Sequence, residues 1–137
     1  MTHERYRKFN TKDTYPEQDL NNDLCQAVKA RGTMVFLRGQ VGQDLETREV
    51  VGAGDPVAQT EKAMENVKML LEEAGSSLDQ ICRMQVYLVN REDRDAVYKV
   101  IGKWLKGVFP CSTGLFVAGL ARPEWVMEIE VTAVIPD

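Results

Sequence analysis

The sequence predicts an α+β fold in which a single mixed β-sheet carries two helices on one face. Three observations support this prediction. Short extended segments dominate the first third of the chain, two segments with helical spacing enclose an alternating strand, and two further strands close the chain. The resulting order, β-β-β-α-β-α-β-β, is typical of a two-layer arrangement. With 137 residues, of which 44% are hydrophobic, the chain is long enough for one domain, residues 1–137.

The first third supplies three predicted strands. Residues 6–9 are predicted as a short edge strand, and residues 27–30 and 33–37 as two strands joined in a tight hairpin at an Arg-Gly pair. Because residues 34–37 are all apolar, both faces of that strand are apolar. We therefore expect it to be a central strand that is buried on both sides.

Two helices are indicated by their boundary residues. Asp55 followed by Pro56 is a favourable cap and first position, and apolar residues then recur at helical spacing until Gly75 ends the helix. A second helix is predicted from a capping box that begins at Asn90. Its apolar residues keep the helical spacing, and Gly107 ends it.

The remaining strands alternate in character. Residues 82–88 alternate between core-type and surface-type side chains, and closing strands are predicted near residues 113–117 and 126–135. Two helices cannot cover both faces of such a sheet. We expect Val35, Leu37, Met127 and Ile129 not all to fit beneath them. At about 25 cal/mol per Å² of apolar area, an exposed face would cost several kcal/mol, which predicts a homo-oligomer.

The last strand carries the first candidate site residues. Alternation places Ile129 and Val131 on one face and Glu128 and Glu130 on the other. A small polar cluster opens the preceding strand, and polar groups at strand starts near a carboxylate are common in small-molecule pockets. The two glutamates either contribute to such a pocket or mark the solvent-exposed face of an edge strand.

Composition excludes several classes of function. The formal net charge of −4 gives no electrostatic basis for nucleic-acid binding. No apolar run approaches a bilayer span, so we expect no membrane partner and a cytoplasmic location. Three cysteines without C-x-x-C spacing are expected to be reduced thiols. A single histidine, His3, favours neither a metal site nor a Ser-His-Asp triad.

An ordered set of short motifs resembles the YjgF-type reactive intermediate deaminase family (RidA, also labelled L-PSP endoribonuclease). The resemblance spans residues 24–134. Its matching pieces are Gln26-Ala27-Val28, Arg38-Gly39-Gln40-Val41-Gly42, Gln59-Thr60, Glu65-Asn66-Val67, Glu72-Glu73-Ala74-Gly75, Val86-Tyr87-Leu88-Val89, Phe109-Pro110 and Met127-Glu128-Ile129-Glu130-Val131. The resemblance implies a chorismate-mutase-like fold, a homotrimer, and small-metabolite pockets at subunit interfaces without a cofactor.

The family pattern also implies how such a pocket works. An arginine two residues after the Phe-Pro proline clamps the substrate carboxylate, because a guanidinium offers two parallel charge-assisted hydrogen bonds. A glutamate on the last strand positions the water that attacks an imine carbon, which releases ammonia and a 2-keto acid. Glu128 stands at the position of that glutamate.

The chain departs from the family pattern at several pocket positions. Ser112 replaces the clamping arginine, Gly114 replaces the usual cysteine, Leu24 replaces a pocket tyrosine, and Arg38 replaces a serine before Gly39. The resemblance therefore identifies a divergent member that lacks the carboxylate-clamping arginine.

The candidate substrate-binding residues have alternative roles. Arg38 either offers a guanidinium from another wall of the pocket or pairs with Glu128 or Glu130 at an interface. Ser112 and Thr113 either donate hydroxyls to a ligand or form ordinary strand-start hydrogen bonds. The remaining candidates are the backbone at Gly39 and an apolar wall at Leu24. Glu92 is either a ligand-facing loop residue or a first-turn acid that complements the helix dipole, and Cys111 is either a packed thiol or a nucleophile.

Three functions follow from these residues. The first is hydrolysis of enamine or imine metabolites of amino-acid metabolism, with an imino or keto acid as ligand. The alternative is a catalytically weak metabolite-binding trimer without deaminase activity. The third is the older endoribonuclease assignment, against which the acidic charge balance and the lack of a basic groove both count.

Overall fold

The computed structural model describes residues 3–137. The N-terminal part forms two short antiparallel ribbons. Strand β1 (Glu4–Tyr6) pairs with β4 (Ala27–Lys29), and β2 (Phe9–Asn10) pairs with β3 (Asp23–Leu24). A one-turn helix, α1 (Thr11–Thr14), follows β2 directly and was not predicted from the sequence.

The main sheet has four strands, in the order β5 (Gly32–Phe36), β8 (Met127–Pro136), β6 (Ile81–Leu88) and β7 (Cys111–Phe116). Strands β6 and β7 run parallel, whereas β8 is antiparallel to both of its neighbours. The sheet is therefore mixed, as predicted. Within one chain, β5 and β7 form its two edges.

The predicted hairpin between residues 27–30 and 33–37 is wrong. Strand β4 pairs with β1, and β5 pairs with β8, so the two segments belong to different sheets. Gly32 has a φ of +141°, and a side chain there would overlap the carbonyl oxygen of Ile135. Glycine is required for this close approach of β8 and not for a tight turn.

The predicted edge strand over residues 6–9 is also interrupted. Arg7 has a φ of 54°, in the left-handed region, which ends β1 before β2 begins. The chain therefore contributes to two separate ribbons where the sequence predicts one continuous strand. The second of these ribbons lies beside the candidate site.

Two long helices, α2 (Pro56–Glu73) and α3 (Arg94–Trp104), pack against each other and on one face of the sheet. Asp55 caps α2 as predicted, because its carboxylate accepts a hydrogen bond from the Ala58 amide at 3.1 Å. Within residues 3–137, no helix has both the length and the apolar character needed to cross a bilayer.

The predicted capping box of the second helix is wrong. A 3₁₀ turn over Arg91–Asp93 precedes α3. The Asn90 Nδ2 atom donates to Asp93 Oδ2 at 3.1 Å, so the two side chains bond each other and leave the backbone amides uncapped. The helical residues end at Trp104, and Gly107, with a φ of +80°, follows within the terminal turn.

The core lies between the helices and the sheet. Its fully buried strand residues are Ile81, Met84, Val86 and Leu88 of β6, and Met127, Ile129, Val131 and Ala133 of β8. Val35 and Leu37 pack against the same core. The expectation that Val35, Leu37, Met127 and Ile129 cannot all pack beneath two helices is therefore wrong.

The other face of the sheet is uncovered in the single chain. The apolar residues exposed on it are not the four that the sequence analysis named. Met34 and Phe36 of β5 are 56% and 69% exposed, and Leu115 of β7 is 46% exposed. The prediction that residues 34–37 form a central strand buried on both sides is wrong, because β5 is an edge strand with one covered face. The apolar outer face still requires an explanation.

A buried glutamine fixes β8 relative to the helix layer. Gln59 Nε2 donates to the carbonyls of Gly52 and Glu124 at 2.9 and 2.8 Å, and its Oε1 accepts from the Val126 amide at 2.9 Å. All three bonds are to the backbone of loops. Gln59 therefore holds the start of the strand that carries Glu128.

Candidate functional site

Strand β8 carries the carboxylates on the uncovered face of the sheet. Glu128 stands opposite Tyr87, and Glu130 stands opposite Gln85. Ile129 is fully buried on the helix side, so the predicted alternation of β8 is confirmed. Tyr87 Oη is 2.9 Å from Glu130 Oε1, to which it donates a hydrogen bond, whereas Glu128 is half-buried.

A bulge places Gly39 against Glu128. The Leu37 amide bonds the carbonyl of Val131 at 3.2 Å, and Gln40 exchanges backbone hydrogen bonds of 2.7 and 2.9 Å with Ile129. Two residues, at positions 38 and 39, thus oppose one residue of β8, which is the arrangement of a β-bulge. A side chain at Gly39 would overlap Glu128 Oε2. Glycine is therefore required for the carboxylate to occupy this place.

The surroundings of Glu128 change its acidity. Burial raises the pKa of the Glu128 carboxyl above its ordinary value, the positive charge of Arg38 lowers it, and the negative charge of Glu130 raises it further. Burial is the largest of these effects. Arg38 therefore lies close enough to Glu128 for its charge to act on the carboxyl.

A cavity of about 430 Å³ lies on the opposite face of the sheet, between β7, α3 and the N-terminal ribbon. Leu24, Ser112 and Gly114 line it, which are three of the positions where the sequence departs from the family pattern. Leu24 is half-buried and forms part of an apolar wall. Arg94 and Tyr98 of α3, which the sequence analysis did not identify as site residues, line the same cavity.

Tyr98 occupies the space that Gly114 leaves open. A side chain at Gly114 would overlap the Tyr98 hydroxyl and approach Cζ within 3.3 Å. Ser112 and Tyr98 line the same part of the cavity. Burial raises the pKa of Tyr98, while the charge of Arg94 and the neighbouring Ser112 hydroxyl lower it. Tyr98 is therefore an uncharged phenol.

The two groups of candidate residues face away from each other within one chain. Ser112 pairs with Met84, whose side chain lies on the helix side, whereas Glu128 pairs with Tyr87 on the uncovered side. Thr113 lies opposite Gln85 and so shares the face of Glu128. A site that uses Ser112 and Glu128 together therefore requires a second copy of the chain.

The other two candidates, Glu92 and Cys111, do not line the cavity. Glu92 is exposed in the 3₁₀ turn before α3. Cys111 is half-buried at the start of β7, near Cys25. Burial, followed by this neighbouring thiol, raises the pKa of Cys25. All three cysteines are free.

The spacing of Arg94 and Tyr98 on α3 is a sequence signal that could have identified both as site residues. Arg94 and Tyr98 are four residues apart, so they share one face of the predicted second helix. Gly114 stands where family members have a residue with a side chain. The missing side chain leaves a space that a neighbouring group can fill. Only the packing of α3 on β7 shows that this group is Tyr98.

Comparisons with known proteins agree with the fold and the motifs. The sequence model of the Endoribonuclease L-PSP family matches residues 17–135. A RutC family protein of Pyrococcus abyssi is 34% identical over 79% of this chain and 83% of its own length. A 2-iminobutanoate/2-iminopropanoate deaminase of Dermatophagoides farinae is 30% identical over 80% of this chain and 84% of its own length.

The solved structures include a close match over nearly the whole chain. YyfB of Yersinia pestis, described as a protein of unknown function of the conserved Rid protein family, is similar with a TM-score of 0.80 and 29% identity. The match covers 98% of this chain and 100% of that one. The similarity therefore includes the N-terminal ribbons as well as the main sheet.

Proposed function

Since the chain belongs to the Rid (YjgF, L-PSP) family, we propose that it hydrolyses enamine or imine intermediates of amino-acid metabolism to 2-keto acids and ammonia. The reaction takes place in pockets that copies of the chain share within a homotrimer. The observation that carries the proposal is the half-buried carboxylate of Glu128, packed against Gly39 on the uncovered sheet face. The name of the mite relative supports the reaction class.

Glu128 acts as the general base. Its carboxylate accepts a proton from a water molecule as the water oxygen forms a bond to the C=N carbon, and the imine nitrogen takes up a proton. Glu128 then gives its proton to the resulting amino group, cleavage of the C–N bond releases ammonia, and loss of the hydroxyl proton to solvent leaves the C=O group. The raised pKa of Glu128 makes the carboxylate a stronger base than an exposed glutamate.

The other candidates on the Glu128 face assist this step. The positive charge of Arg38 favours the ionised form of Glu128, which is the form that can accept a proton. The backbone at Gly39 lies in contact with the same carboxylate. Thr113 contributes a hydroxyl on this face, and Ser112 contributes one on the cavity face.

The uncovered sheet face supports a homotrimer. Met34, Phe36 and Leu115 are large apolar side chains exposed on that face, and association would remove them from water. A second copy would also bring a Ser112-lined cavity to the face that bears Glu128, which a single chain does not do. Free thiols at three positions suit a reducing compartment, so we propose a cytoplasmic location.

One observation favours a second function. Ser112, at the strand position where family members have an arginine, is uncharged and lies beside Tyr98 in the cavity. A weaker hold on an anionic substrate would leave a metabolite-binding trimer without deaminase turnover. The two functions differ in one measurable property, because both bind keto acids but only the first releases ammonia from imines.

The test is an imine-hydrolysis assay. An amino-acid oxidase generates 2-imino acids in solution, and trapping with semicarbazide reports the imine that remains. We expect the protein to decrease semicarbazone formation and Glu128→Gln to lower this effect by at least about 100-fold, which is typical for loss of a general base. Glu130→Gln is the matched control on the same face and retains most of the activity. No effect of the wild-type protein on any 2-imino acid would leave only the binding function.

A further inference from the structure

The cavity beside α3 contains a single charged group. Of the described residues that line it, only Arg94 carries a charge, and the rest are apolar or neutral polar residues. The residues that line the cavity therefore carry one positive charge between them. An anionic ligand gains from that charge, because no neighbouring carboxylate of the lining neutralises it.

The Arg94 guanidinium is oriented and still available. Its Cζ lies 4.9 Å from the centre of the Tyr98 ring, in a cation–π contact that holds it against the cavity wall. Its salt bridge to Asp95 is 3.6 Å long, with side chains 36% and 63% exposed, so the pair is a weak surface interaction. A guanidinium stacked on a ring keeps its edge N–H groups free for a carboxylate.

The remainder of the cavity has neutral polar as well as apolar walls, so part of a ligand body can lie against apolar side chains. Its apolar lining includes Phe9, Leu20, Leu24, Leu88 and Phe116. A volume of about 430 Å³ lies within the range of pockets that hold drug-sized ligands and is far larger than a three-carbon acid requires. Asn22, another lining residue, is 2% exposed, and its Oδ1 has no hydrogen-bond partner among the described residues. That oxygen can accept a hydrogen bond from an N–H group.

We propose that Arg94 binds the carboxylate of a 2-imino or 2-keto acid with a bulky apolar side chain, and thereby replaces the strand arginine that this chain lacks at Ser112. The proposal rests on the proposed function for the identity of the reacting group, and it adds the substrate class and the anchoring residue. Tyr98 holds the guanidinium, Gly114 leaves room for Tyr98, and the apolar walls select the side chain. A small acid such as 2-oxopropanoate fills only part of this space.

The test measures binding of 2-keto acids to the full chain by titration calorimetry, without turnover. The probes are 2-oxopropanoate, 2-oxobutanoate, 4-methyl-2-oxopentanoate and phenylpyruvate. We expect affinity to rise about fourfold per buried methylene along the series. Arg94→Ala weakens phenylpyruvate binding by about 100-fold, Arg94→Lys recovers part of the loss, and the uncharged phenylacetone binds wild type and Arg94→Ala equally.

Arg91→Ala is the matched control. Arg91 lies 4.4 Å from the Phe116 ring centre but is not among the lining residues, so its removal leaves affinity within about twofold. Thermal melting confirms that each variant is folded. Equal phenylpyruvate affinity of wild type and Arg94→Ala, or equal affinity of wild type for the whole series, would overturn the inference.

The outcomes separate this inference from the proposed function. Glu128→Gln retains phenylpyruvate binding if Arg94 is the anchor, whatever the result of the imine assay. Binding through Arg94 without any imine turnover would remove the proposed function and leave the inference standing. If turnover depends on Glu128 but the Arg94→Ala variant binds phenylpyruvate as tightly as wild type, the proposed function stands and the inference about Arg94 is overturned.

Discussion

The carboxylate of Glu128 packs against the α-carbon of Gly39 so closely that a methyl group on Gly39 would overlap Oε2. The contact depends on a bulge that sets two residues of one segment against one residue of β8. It fixes the position of a carboxyl whose pKa burial raises. The contact links a backbone irregularity directly to the proposed general base.

Gly39→Ala should therefore impair catalysis more than folding. Gly39 does not have a left-handed φ, so alanine causes no backbone strain and only displaces the Glu128 carboxylate. We expect kcat/KM for imine hydrolysis to fall by about 10- to 100-fold, with the far-UV circular dichroism unchanged. Gly119→Ala is the matched control, because a Cβ there meets no atom within 4 Å. Equal activity of the two variants would show that catalysis does not depend on the position of the Glu128 carboxylate.

The charge state of Glu128 gives a stability prediction with a definite sign. Because its pKa is raised in the folded chain, the folded state holds this proton more tightly than the unfolded state does. Protonated Glu128 contributes to the free energy of unfolding at pH values below the ordinary pKa of glutamate. This contribution is lost as the pH rises through the pKa of Glu128 in the folded state. We expect Glu128→Gln to be more stable than wild type at pH 7, with a difference that vanishes in acid.

Denaturant unfolding at several pH values measures this difference. Glu130→Gln serves as the comparison, since Glu130 is exposed and accepts a hydrogen bond from Tyr87. The result that contradicts the account is a Glu128→Gln variant that is less stable than wild type at neutral pH. Such a result would mean that the carboxylate stabilises the fold and is not held at a cost for function.

The contact between Gly114 and Tyr98 predicts a rescue. Gly114→Ala forces the Tyr98 hydroxyl out of its place, and overpacking of this kind typically costs about 1–3 kcal/mol. Tyr98→Phe removes the hydroxyl and leaves Cζ 3.3 Å from the new methyl group, a contact that small shifts relieve. The double variant should be more stable than the sum of the two single changes predicts, in a denaturant-unfolding cycle. Strict additivity would show that the two residues do not compete for this space.

Local sequence signals predicted the elements that depend on local physics. The cap at Asp55, the end of a helix near Gly75 and the alternation of Glu128 with Ile129 are set by neighbours along the chain, and the structure confirms them. The pairing of β5 with β8 joins segments about one hundred residues apart. A local hairpin signal at Gly32 cannot reveal such a pairing, because the same glycine serves a turn or a close approach equally well.

The site was predicted in part for the same reason. The sequence placed Arg38, Gly39 and Glu128 together, and they lie together on one face of the sheet. It also placed Ser112 with them, but the parallel register of β7 on β6 turns Ser112 to the other face. The position of Tyr98 and Arg94 in the cavity depends on how α3 crosses β7, which no pattern within either segment encodes.

The apolar outer face predicts an effect of charge on assembly. Phe36→Glu introduces a carboxylate where we propose that subunits meet, and burial of an unpaired charge is strongly unfavourable. Sedimentation velocity should show a trimer for wild type and a smaller species for this variant. Val57→Glu is the control, since Val57 is 45% exposed on α2, away from this face. A trimer that tolerates Phe36→Glu would place the interface elsewhere.

The most direct test of the account is complementation between two inactive variants. Leu24→Trp fills the cavity that lies on one face of the chain, and Glu128→Gln removes the base on the other. Refolded together in equal amounts, they should recover about a quarter of the wild-type imine-hydrolysis rate, because random trimers pair an intact cavity with an intact Glu128 at about one site in four. A mixture no more active than the two separate variants would contradict a site shared between copies.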